Sequence, residues 1–157
     1  MAYDSTIEDL VDSVESFLST NVAAYVTGIN DAKADGITLK AIRDVSVSDN
    51  DPYQSAKYPL VQLYPEQLAL EQIAAGYDEA VMSLIALVAI NDKSSVQKKL
   101  LRYTEAVRQV LRDYVDLGES EFDVDKGQMV VTYYPTDPDV GVAVSTVQFR
   151  VIKTIES

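Results

Sequence analysis

The chain has 157 residues and a mass of 17.3 kDa, enough for one domain with a sizeable core. It carries 13 Lys and Arg against 25 Asp and Glu, a formal charge of −12, which disfavours gripping nucleic-acid phosphates or an anionic membrane surface. It has no Cys, His or Trp, which excludes disulfides, thiol nucleophiles, Cys or His metal sites and imidazole bases, and leaves any catalysis to carboxylates, Lys, Tyr or Ser.

The first segment is predicted to be helical. Ser5-Thr6-Ile7-Glu8 has the form of a capping box. Ile7, Leu10, Val11, Val14, Phe17 and Leu18 then recur at helical spacing, with Glu8, Asp9, Asp12 and Glu15 on the other face. The helix either breaks at Ser19-Thr20-Asn21 or continues towards Gly28, and residues 30–36 read as a turn. Partial alternation predicts a strand over 38–47, which the Ser48-Asp49-Asn50-Asp51-Pro52 run ends. A polar loop bearing Tyr53 follows. Tyr58-Pro59-Leu60-Val61-Gln62-Leu63-Tyr64-Pro65 reads as a short strand bracketed by prolines, hard-ended or at a sheet edge.

Residues 66–76 fit one helical turn or a loop. The apolar run 77–90 is compatible with helix or buried strand, and is assigned as strand because the helix after it needs a sheet to cover. That second long helix, capped by Ser94 or Ser95 and closed near Gly118, shows one apolar stripe: Val96, Leu100, Tyr103, Val107, Val110, Leu111 and Tyr114. An acidic stretch over 116–125 follows, with Phe122 inside it. Residues 129–134 and 140–155 are then predicted to form an antiparallel hairpin. The sum is a single domain over 1–157 of the α+β class, α-β-β-β-α-β-β. It is a mostly antiparallel sheet with two main helices on one face.

No motif for chemistry emerges. Asp123-x-Asp125 with Gly127 has the wrong spacing for a calcium loop, and the other acidic pairs, Asp49/Asp51 and Asp137/Asp139, are turn formers. The glycines are scattered singly, so there is no phosphate-cradling loop. The reading is therefore a non-enzyme with no cofactor and no metal. The start of the chain lacks the basic and apolar regions of a targeting peptide. Its longest apolar run is far below the roughly 20 residues a membrane span needs. A soluble protein, cytoplasmic where it is made, is expected.

Two features point to assembly. Lys93, Lys98, Lys99, Arg102, Arg108 and Arg112 gather on the exposed face of the second helix. Such a face could dock head-to-tail on the acidic first helix or the 116–125 stretch of another copy, a contact that can close into a ring. Ten tyrosines against three phenylalanines, with Tyr53, Tyr133 and Tyr134 at loop or strand-end positions, suit surfaces that are wet alone and buried in a complex. The expected interface residues are Lys98, Lys99, Arg102, Arg108, Arg112, Tyr53, Tyr133 and Tyr134.

The order of elements, the Tyr58–Pro65 strand, and the apolar strand at 77–90 running into the basic helix at 93–116 together resemble the tail terminator, or tail completion, proteins of long-tailed bacteriophages. The resemblance implies a structural virion protein at the tail–neck junction, assembled in the host cytoplasm. In that family a homo-hexameric ring caps the tail tube, stops its polymerisation and offers a docking surface to the head. Its partners would be itself, the tail tube protein and the neck, head-completion or connector proteins. DNA would pass the lumen as passive content, and a negative wall would keep it from sticking. A head-completion or neck protein is the neighbouring alternative. An acidic DNA-mimic inhibitor and a small carboxylate hydrolase are alternatives of other classes.

Overall fold

The computed structural model describes residues 6–47, 51–55, 57–114, 122–136 and 139–156. The Ser5 cap, Gly118 and residues 116–121 of the acidic stretch lie outside these. α1 spans Thr6–Ala32 without a break. The apolar stripe continues through Val22 and Val26, both buried, so packing holds the helix past Ser19-Thr20-Asn21. Asn21 faces back along the helix, its Nδ2 donating to the Phe17 carbonyl at 2.9 Å. Residues 30–32, read as turn from sequence, are its last helical residues.

The predicted strand at 38–47 is mostly irregular; only Asp44–Val47 forms a strand, β1. The reason is where its backbone groups find partners. Asn30 clamps Leu39 from both sides: Leu39 N–H donates to Asn30 Oδ1 at 2.8 Å, and Asn30 Nδ2 donates to the Leu39 carbonyl at 3.0 Å. The Tyr103 hydroxyl donates to the Lys40 carbonyl at 2.8 Å, and Arg102 Nη1 to the Ile37 carbonyl at 3.2 Å. Helix side chains thus replace a ladder.

β1 pairs in parallel with β2, Leu60–Ala74, in the register Asp44↔Leu60 to Val47↔Leu63. Between them lie a short 3-10 turn, Pro52–Gln54, and a cis Tyr58–Pro59 peptide. β2 runs nine residues beyond Pro65, correcting the loop or helical turn expected at 66–76. Pro65 sits where the register shifts before Gln67, so its missing N–H leaves a tolerated irregularity. β3, Tyr77–Ile90, pairs antiparallel along all of β2, and the turn between them uses Gly76 at φ 83°, a conformation that favours glycine.

α2 spans Val96–Arg112. Ser95 is its N-cap, but its hydroxyl makes no capping bond and its own φ is 51°; the expected side-chain cap is absent. β4 (Asp123–Val124), β5 (Val130–Tyr133) and β6 (Ala143–Glu156) complete the chain. β4 has no counterpart in the sequence prediction. β6 lies beside β3, with β4 and β5 in succession along its far side, giving the order β1-β2-β3-β6-β4.

Both helices lie on one face, α2 on β3 and β6, and α1 on α2 and β1. The core between them includes Leu10, Val14 and Leu18 of α1, Leu100, Val107 and Leu111 of α2, and Leu84, Val88, Phe149 and Val147 of the sheet. Full burial of one such side chain is worth roughly 1.5–3 kcal/mol. Tyr114 rivets the end of α2: its ring stacks on Phe122 at 4.3 Å and meets Phe17 edge-on at 4.7 Å, while its oxygen accepts the Phe122 N–H at 3.1 Å. Among the described residues, the opposite face holds a small cluster of Tyr58, Leu60, Ala89, Val142 and Val144. Among the described residues, no helix covers the rest of that face.

Candidate functional site

The second helix was expected to carry a basic docking face. The structure divides that face. Arg102 forks onto Asp35, with Nη2 2.5 Å from Oδ2 and Nη1 3.2 Å from Oδ1. Arg108 grips Glu105 one turn earlier on α2, with Nη2 2.5 Å from Oε1 and Nε 2.9 Å from Oε2. Lys99 Nζ lies 2.9 Å from Asp92 Oδ2, and both side chains are largely covered. Three of the five cations expected at the interface therefore hold the chain's own acids, and their net field outward is small. Among the described residues, Lys98 and Arg112 make no ion pair.

These pairs leave their mark on the titrations. The hydrogen bond from Arg102 brings the Asp35 carboxyl down to about 2. Arg108 in the same way holds Glu105 below its ordinary value. Burial, then the charge of Glu105, raises the Tyr133 phenol.

Lys98, Arg102 and Tyr133 do come together. With Ile29, Leu101 and Glu105 they line a shallow groove of about 500 Å³ between the end of α1, the outer face of α2 and β5. Lys33 and Asp35 complete it. A second hollow of about 540 Å³, between Tyr25, Gly28 and Gln109, shares Ile29, Lys33 and Glu105 with the first. Leu101 and Tyr133 remain 47% and 44% exposed, so the groove has an apolar floor and a mixed-charge rim. This is the composition of a protein contact, with an apolar centre and polar surround.

The other expected residues lie apart. Lys99 is occupied by Asp92, and Arg112 stands at the last turn of α2. Tyr134 is exposed beyond β5, its N–H donating to the Val144 carbonyl at 3.1 Å. Tyr53 belongs to the short turn whose Pro52 carbonyl accepts the Tyr58 hydroxyl, and Tyr58 packs in the small cluster on the opposite sheet face. The Asp125 carboxylate accepts the Gly127 N–H at 3.1 Å, the behaviour of a turn-forming aspartate. No group of three or more acids placed to hold a metal occurs among the described residues.

Sequence reasoning missed the far half of the β2–β3 hairpin. There Leu68, Leu70, Ile73 and Tyr77 are 37%, 54%, 52% and 49% exposed. β1 accompanies β2 only as far as Leu63, so beyond that point the outer edge of β2 has no strand beside it among the described residues. Gly76, a lone glycine directly before the 77–90 strand, is the signal that could have revealed the turn of this hairpin.

The class that the fold and these surfaces define is an α+β domain with helices on one side of a mixed, mostly antiparallel sheet. No protein-family model matches the chain, and no curated protein does. No helix among the described residues is long and apolar enough to cross a membrane.

Proposed function

We propose that this is a structural virion protein that works by fitting against other polypeptides: a tail terminator whose hexameric ring caps the tail tube of a long-tailed phage. The observation that carries the reading is the uneven finish of the sheet. Its helix face is packed over β3 and β6, while its other face and the far part of β2 are left for something else to cover. A ring built from such units has one surface to match the tube's last ring. It has a chemically different surface for the neck, so growth stops there. The formal charge of −12 suits a lumen that DNA traverses without adhering.

The test is to add purified chain to tail tubes and image the ends. Six copies at one end of each tube, with further tube growth blocked, is the expected result. Binding to the neck or connector with no affinity for tubes assigns the head-completion role instead. Absence from finished particles overturns the virion reading altogether.

A further inference from the structure

We propose that a second copy of this chain pairs antiparallel with the open edge of β2 over residues 67–71, about a two-fold axis at Ala69. An uncovered strand edge offers a row of unpaired N–H and C=O groups, and stable monomers blunt such edges with Lys, Pro, bulges or a covering element. β1 has such cover: its Val47 N–H donates to Glu15 of α1 at 3.0 Å. β2 does not. Between its two register irregularities, at 65/67 and 72/74, runs Gln67-Leu68-Ala69-Leu70-Glu71-Gln72, with no Lys and no Pro. Leu68 and Leu70 pair with Met82 and Ala80, so both project on the helix-bearing face.

The occupant follows from self-complementarity. A two-fold axis perpendicular to the sheet keeps the helices of both copies on one side, so directly opposed residues must come from the same face. Their numbers then sum to an even value. With the axis at Ala69, Leu68 lies opposite Leu70 of the second copy, and Gln67 opposite its Glu71. Apolar meets apolar and no like charges are opposed, the pairing that cross-strand energetics favour. Moving the axis to Leu68 sets Leu70 against Glu66, and moving it to Leu70 sets Leu68 against Gln72. Only the Ala69 axis gives both leucines a leucine. The competing head-to-tail arrangement would use β6, but past β4 its free edge among the described residues is short, 153–156, and carries Lys153. The two-fold contact describes the free chain and stands independently of the tail-cap reading.

The chain has no cysteine, so Ala69→Cys supplies a single thiol on the proposed axis. Opposed residues of an antiparallel pair have Cα atoms about 4.5–5.5 Å apart, within the roughly 4.4–6.8 Å a disulfide spans. On mild oxidation the full-length variant should become a covalent dimer of twice 17.3 kDa, while Gln128→Cys, exposed between β4 and β5, stays monomeric. In sedimentation the unaltered chain should double its mass with concentration, and Leu70→Glu should abolish the doubling with its circular dichroism unchanged. The proposal is overturned if Ala69→Cys oxidises to dimer no faster than Gln128→Cys, or if the doubling survives Leu70→Glu. It is also overturned if a mixture of Leu70→Cys and Lys153→Cys cross-links in preference to Ala69→Cys with itself. Tube-end binding is read separately, so either idea can fail without the other.

Discussion

Thr104 Oγ1 and Ser145 Oγ lie 2.6 Å apart in the fully buried seam between α2 and β6. Thr104 Oγ1 also lies 2.6 Å from the Leu100 carbonyl, to which it donates, so Ser145 is the donor in the pair. One hydroxyl thus satisfies another in the middle of an apolar contact, and fixes how α2 sits along the strand.

Removing both members of that pair should cost less than the two single removals added together. Ser145→Ala takes away the partner donor and is expected to lower stability by about 1–2 kcal/mol. The double variant Thr104→Val, Ser145→Ala should lose less than the sum of the two single changes. Urea denaturation of all four forms in a double-mutant cycle measures the difference.

Asn30 should be the most sensitive polar residue of α1. Its amide both donates to and accepts from the Leu39 backbone. Asn30→Ala strips two partners from a chain segment that has no ladder, at an expected cost of roughly 2–3 kcal/mol. Asn30→Asp keeps the acceptor but loses the donor, and should fall between. Thermal or chemical unfolding checks the order.

Asp35 gives an acid-side prediction. Its carboxyl titrates at about 2 against an ordinary 3.8, chiefly through the Arg102 hydrogen bond. A depressed folded value means the unfolded chain takes up the proton first. The Asp35 contribution is therefore complete above about pH 4 and disappears as the pH falls towards 2. Carbon-13 NMR of the carboxyl should show the low midpoint, and Arg102→Ala should return it towards 3.8.

Tyr103 gives the alkaline counterpart. Burial pushes its phenol up to about 12, with the charge of Asp92 adding to the effect. Here the unfolded chain loses the proton first, near its ordinary value of 10.0, so stability should decline between pH 10 and 12. Ultraviolet titration should show a tyrosine ionising near pH 12 that is missing from Tyr103→Phe. The same substitution also removes the donor to the Lys40 carbonyl and should cost about 1 kcal/mol.

Where periodicity was long, the sequence was enough. The stripes of α1 and α2 and the alternation of β6 each repeat many times along one element, and a face that recurs that often has to be buried whatever surrounds it. Sequence also marked Lys98, Arg102 and Tyr133 as surface residues, and the groove unites them. It had no means of knowing that Asp35, 67 residues from Arg102, would neutralise one of the cations. Ion pairing depends on which segments the fold makes neighbours.

By itself, then, the sequence determined two helices, their buried faces, the closing pair of strands and the absence of thiol and imidazole chemistry, because these rest on residue identity and local repeat. Only the tertiary structure decided that residues 37–43 stay out of the sheet, since side chains of α1 and α2 take up backbone groups of Ile37, Leu39 and Lys40. It alone also decided that β2 runs on to Ala74. That half of the strand is exposed, so no burial pattern marks it, and what makes it a strand is the hydrogen bonding of β3 along its length.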